Sequence, residues 1–329
     1  MIVYVALGLG AGLAAALLFA AAGTGSVSAV LLMYLAPLPI LIVALGWHHL
    51  LGLLALSAGG IATSLLLRPS AGLAFALGPA LSAWLLAWLA LLRRPETSGQ
   101  AGPSASDWYP VGHLLFCVGI GGALIGLASL AAATGWDYER YREVLEQTAG
   151  ALLRREMRLD RSAPLPQPFG YPGADFVRLI VGIAPALLAG MLALILALNL
   201  WLAGRAVAIS GRLQRPWPDV PSARMPMTAL AGIAAAVVVA QLESFPGVAG
   251  TALAGGLLMA FALQGLALLH WVTRGRPARG LVLSLAYVLT LVLGYIFLPA
   301  FAVIGMVDTA FPLRRFLGGQ PPPPPPTIT

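Results

Sequence analysis

"MYLAPLPILIVALGWHH", residues 33–49, sets two prolines two positions apart in an apolar run and ends it on adjacent histidines. Proline removes a backbone donor and crowds the turn before it, so no regular helix is expected to pass through 36–39. What such a break means depends on its solvent. In water it is a loop. In hydrocarbon its orphaned backbone groups must be buried in protein or lie along a hydrated cavity.

The rest of the chain supplies the solvent. Of its 329 residues 59% are hydrophobic and 9% charged, with a mean hydropathy of +0.89, whereas soluble domains carry about 25% charged residues. Apolar segments recur near 2–22, 29–46, 49–67, 72–92, 110–134, 177–203, 228–242, 249–273 and 281–307. Runs of this length read as membrane-crossing helices. The expected fold is an all-α, polytopic transmembrane helix bundle of eight or nine spans. It occupies 1–316, with an extracytoplasmic amphipathic insert at 137–175 and a Pro-rich tail at 317–329. The N-terminus "MIVYVALGLGAG" has no basic leader and is read as a retained helix.

The formal charge of +7 follows from membrane topology, and no nucleic-acid partner is expected. All 19 basic residues are Arg. Lysine chemistry is thereby excluded, whether a phosphate-loop cradle or a Schiff base. Cys117 is the only cysteine, so intramolecular disulfides and thiolate clusters are excluded too. No metal site, cofactor or catalytic constellation emerges, and the chain is read as non-enzymatic.

Basic connectors orient the spans. Residues 93–110, 204–226 and 274–279 hold nine Arg against Glu96, Asp107 and Asp219, which assigns them to the cytoplasm. The insert holds six Arg against seven acids, and "ESFPG" (243–247) holds no Arg, so both can face outward. Only the last run conflicts: a ninth full span would carry Arg314 and Arg315 outside. Either 281–307 is one tilted span, or it breaks at Pro299 and turns back. Within the insert, Tyr138, Tyr141, Val144, Leu145, Leu152, Leu153 and Met157 recur at helical spacing opposite the charges, which predicts an amphipathic helix. It would cap the bundle, or act as a lid.

The candidate solute-binding residues are the break and the polar groups in or beside apolar runs: Pro37, Pro39, Trp47, His48, Asn199, Gln264 and Asp308. The break either lines a cavity or is a packed turn. Ionisable groups at membrane depth mark functional candidates, and Asp308 has Arg314 and Arg315 within reach along the chain. Gly8, Gly12, Ala16 and Ala20 form a small-residue stripe that allows close helix approach, internal or to another membrane subunit. "GIGG" (119–122) and "AGG" (254–256) read as close helix contacts.

Taken together, "APLPILIVALGWHHLLGLLALSAGG", the "LLRR" edge, the outward insert and the closing "FAVIGMVDTAFPLRRF" resemble the YybS-like family of bacterial integral membrane proteins. The shared features are the Pro-x-Pro pair (Pro37, Pro39) and the terminal Gly-x-x-Asp with its following Arg (Gly305, Asp308, Arg314). That family is in turn similar to the solute-binding S components of energy-coupling-factor transporters, although this chain has more spans and an insert. The resemblance implies an inner-membrane, multi-pass solute-binding bundle that docks on a transmembrane coupling subunit through Gly8, Gly12 and Ala16. The competing reading is a membrane scaffold or assembly factor. A polar cavity at the break would favour solute handling, and solid apolar packing there would favour the scaffold.

Overall fold

Proline costs least in the first turn of a helix, where its missing N–H has no intrahelical partner to lose. The computed structural model, which describes residues 2–93, 108–160, 163–165, 167–170, 172–311 and 313–317, uses Pro37 and Pro39 in that way. After α1 (Ile2–Ala20), α2 (Val27–Tyr34) ends just before them and α3 (Pro37–Gly46) begins on them, at its first and third positions. Leu35 and Ala36 join the two through three-residue hydrogen bonds, Leu35 N–H to Leu32 O and Ala36 N–H to Met33 O. The expected interruption is present, but it is a short turn at 35–36 and not a break through 36–39. The prolines start a helix, and 27–46 forms one 20-residue apolar stretch.

Then follow α4 (His49–Leu66), α5 (Pro69–Phe75), a π-helical turn holding Pro79, α6 (Leu81–Ala90), α7 (Val111–Thr134) and α8 (Tyr138–Glu156). The rest comprises α9 (Gly173–Ile209), α10 (Thr228–Val239), α11 (Phe245–Val272), α12 (Arg279–Val292), α13 (Gly294–Ala310) and α14 (Leu313–Leu317). Among the described residues there is no β-strand, only an isolated bridge between Arg93 and Trp108. Among the described residues, seven stretches are long and apolar enough to cross a membrane: 2–23, 27–46, 49–66, 69–90, 111–134, 173–209 and 245–272. The 94–107 connector with Glu96 and Asp107, and the tail from 318 on, lie outside the described residues.

Two of the nine apolar segments are not long helices. α10 has 12 residues, about 18 Å of helix against the roughly 30 Å of a bilayer's hydrocarbon. The last run divides at Leu293, not at Pro299, which lies inside α13. Gln264 of α11 touches Asp308 and Thr309, and Trp271, seven residues on, meets Arg314. α13 therefore runs parallel to α11 and returns to the end where α12 began. The conflict over Arg314 disappears because α12 and α13 form a hairpin, with both ends among the other arginines.

α7, α9 and α11 form the centre. A Cβ on Gly119 of α7 would stand 2.8 Å from Gly256 O of α11, so the two backbones are in direct contact. Gly122 meets α9 likewise, with Ala189 O 2.5 Å from its added Cβ. The small-residue stripe of α1 is used inside the chain: Gly12 abuts the backbone of α4 at Ala55 and Gly59, and Gly8 abuts Leu51 and Leu54. Gly8, Gly12 and Ala16 are buried and Ala20 half-buried. At Gly8 and Gly12 the stripe thus makes the internal contact, with α4, that the sequence also allowed.

α8 is capped by Asp137, whose carboxylate accepts from Glu139 N–H and Arg140 N–H. It packs on α9 through Tyr141, whose hydroxyl donates to Val181 O at 3.0 Å, and burial pushes that phenol up to about 12. At the opposite end the connector 210–227 is the hub. Arg212 stacks on Trp47, Arg215 reaches Ala90 O, Arg274 pairs with Asp219, and Arg314 reaches Pro221 O and Ala223 O. The ends of α3, α6, α11 and α13 thus share one arginine-rich face.

Candidate functional site

At the Pro-x-Pro turn one carbonyl needs attention. In an unbroken helix Leu38 N–H would donate to Tyr34 O, but it turns to Leu35 O instead. Asn199 of α9 replaces it: Nδ2 donates to Tyr34 O and to Ile195 O, both at 2.9 Å. Ala36, Ile40 and Leu41 are fully buried and Pro37 is buried beside them. The packing here is apolar, and 36–39 do not line the cleft described below. Asn199→Leu is expected to cost about 2 kcal/mol, the penalty for a buried acceptor stripped of its donor. Thermal unfolding of the detergent-solubilised protein would read it.

A second non-helical stretch does lie between helices. Residues 220–227 pass from a 3-10 turn at 220–222 into irregular backbone, with Ala223 and Met225 buried. Their polar groups are received by side chains of α11, α13 and α14. Gln264 Oε1 accepts from Met225 N–H at 2.9 Å, while Nε2 donates to Asp308 Oδ2 at 2.8 Å and to Thr309 Oγ1 at 3.0 Å. Arg314 donates to Asp308 Oδ2 at 3.0 Å, to Pro221 O at 2.8 Å and to Ala223 O at 2.6 Å. Asp308 and Gln264 are fully enclosed. This network ties the α13 end to the connector, and its donors and acceptors are engaged with one another.

Beside it opens a cleft of about 750 Å³. Its walls are Leu114 and Val118 of α7, Leu194, Leu198 and Trp201 of α9, Leu263 of α11, and Tyr287 and Leu291 of α12. The connector lines its arginine-rich end with the buried Arg215 and the exposed Trp217 and Val220. Leu198, Trp201 and Leu291 are exposed at the rim. All three are apolar and on apolar helices, so the cleft has an opening on the side of the bundle, where lipid would lie. Polar groups are few: His270 and Tyr287 join α11 to α12 by a 2.8 Å hydrogen bond, and Thr290 lies nearby.

Arg215 is the exceptional residue. It is 9% exposed, Nη1 donates to Ala90 O at 3.2 Å, and Nε has no partner among the described residues. Burial alone pushes its pKa down. It lines the cleft and also an adjoining hollow shared with Arg93 and Trp108.

None of the residues chosen from sequence lines the cleft. Pro37 and Pro39 start a packed helix. Trp47 lies under Arg212 and accepts from Gln214 at its carbonyl, and His48 Nδ1 caps α4 by accepting from Leu50 N–H. Asn199 serves the turn, while Gln264 and Asp308 are brought together with Arg314. Sequence reasoning passed over Arg215, which reads as one more basic residue of a cytoplasmic connector. Its signal, visible only in retrospect, is the Arg-Pro-Trp-Pro context, which draws an arginine and an aromatic into a rigid turn. Among the described residues no cluster of His, Cys, Asp and Glu could hold a metal.

No curated protein and no solved structure matches this sequence. With seven long apolar helices and a packed helical core in place, the family match over residues 13–309 agrees with the architecture: the chain belongs to the family described as "Predicted membrane protein (DUF2232)".

Proposed function

We propose that this is a non-enzymatic, multi-pass protein of the bacterial inner membrane that binds a small apolar or amphiphilic solute in the cleft between α7, α9, α11 and α12. The resemblance to YybS-like proteins and to transporter S components supports a solute-binding bundle, with transport as its purpose. The positive-inside rule orients the arginine-rich face to the cytoplasm and α8 to the outside, where it rests on the bundle. With α10 counted as a short crossing and α12–α13 as a hairpin, the chain makes eight passes. The observation that carries the proposal is the cleft itself. Its volume falls within the range of small-molecule sites, and its walls are apolar with a few polar groups at one end.

Native mass spectrometry of the full chain, released from membranes into mild detergent, tests this. A retained small molecule is expected in the wild type. Ala197→Trp, which fills the cleft from the α9 wall, is expected to abolish retention while leaving the unfolding temperature within a few degrees. An empty wild-type protein, purified from several growth conditions, would remove the proposal.

The scaffold reading draws on a different observation, the apolar packing around Ala36, Ile40 and Leu41, beside the turn where the sequence places a carrier site. It predicts stable co-purification of another membrane protein that persists in Ala197→Trp.

A further inference from the structure

We propose that the ligand of this cleft is an anionic membrane lipid from the adjacent leaflet, its chain along α9 and α12 and its charged head on Arg215. The inference rests on the cleft being a binding site and names the class of what binds there.

Three observations carry it. First, the cleft has an exposed apolar rim: Leu198, Trp201 and Leu291, the most exposed of its lining residues, stand on the apolar helices α9 and α12, which gives a lipid chain a side entry. Second, Arg215 is buried to 9% exposure where the apolar walls meet the arginine-rich face, the depth at which a lipid head would sit. Its Nε–H has no acceptor, and no carboxylate lies within 4.0 Å of it among the described residues. The nearest acid along the chain, Asp219, is engaged by Arg274. A guanidinium with an open donor in a largely desolvated site is matched by a phosphate or carboxylate oxygen. Third, Arg205 stacks on Trp217 at the same end of the cleft, which adds positive potential without neutralising it. A neutral hydrocarbon would use the walls and leave Arg215 open. A free soluble anion would use Arg215 and leave the walls empty. An anionic lipid uses both.

The test uses the full chain in detergent, exposed to phosphatidylethanolamine vesicles with and without phosphatidylglycerol, and reads retained lipid by native mass spectrometry. Wild type is expected to prefer phosphatidylglycerol by about tenfold, the scale of one charge-assisted hydrogen bond. Arg215→Gln is expected to lose the preference but still retain lipid, and Arg215→Lys, which controls for folding, to keep most of it. A preference that survives in Arg215→Gln overturns the head-group assignment and leaves the cleft reading intact. Retention unaffected by Ala197→Trp overturns the cleft reading itself. Inorganic phosphate is expected not to displace the lipid. Displacement by phosphate alone would make Arg215 a soluble-anion site and overturn the lipid assignment.

Discussion

Arg314→Ala is expected to lower stability by about 3 kcal/mol or more, enough to depress the folded yield in detergent extracts. Asp308 is fully enclosed, and its other side-chain donor is the neutral amide of Gln264. Removing the guanidinium leaves a buried carboxylate without countercharge, the situation in which breaking an enclosed ion pair is costly. It also strips Pro221 O and Ala223 O of their donors, so the connector loses its hold on α13. Asp308→Asn is expected to cost less. Gln264 can still bond the amide oxygen, and Arg314 keeps two carbonyls and the face of Trp271. The double variant is therefore expected to be more stable than Arg314→Ala alone. Thermal unfolding followed by tryptophan fluorescence reads all three; additive losses would show that the pair is not coupled.

Gly256→Leu is expected to cost about 3 kcal/mol, at the upper end for an overpacked core. Gly256 and Gly119 present bare backbone to each other, and Gly255 does the same toward Ala186 of α9, so α11 is wedged between two helices at its small face. A side chain there meets main-chain atoms that cannot rotate away. In a bilayer the loss is compounded, because close van der Waals contact is a main source of helix association there. The control is Gly10→Leu in α1, where an added Cβ meets nothing within 4 Å and stability is expected to be unchanged. Equal effects at the two positions would show that helix propensity, and not the close approach, sets the cost.

Much of the architecture was legible in single residues and their neighbours. The long apolar runs announce helices because their length and lack of charge have no other solvent than lipid. "GIGG" and "AGG" mark where backbones meet because only glycine leaves room. Arg314 was readable as the partner of Asp308, six residues away along one helical end. The prolines signalled a break but misplaced it, for a physical reason. Proline forbids a helix only when the hydrogen bond it removes would have existed, and at positions one and three of α3 it would not. The dipeptide spacing is the same in both cases. What distinguishes them is Asn199, 165 residues away, which supplies the missing donor.

What the sequence determined alone, then, is the solvent, the helices and the arginine-rich face, since hydrophobicity, helix length and charge are properties of residues and their neighbours along the chain. Tertiary structure decided which polar groups are spent and which remain open. Gln264 and Asp308 looked available but are engaged by groups from distant elements, and the Asn199 amide nitrogen is spent on Tyr34 O and Ile195 O, while Arg215 looked solvated and is enclosed with a donor to spare. Availability depends on distance and burial, and those exist only once α7, α9, α11 and α12 stand around a common space.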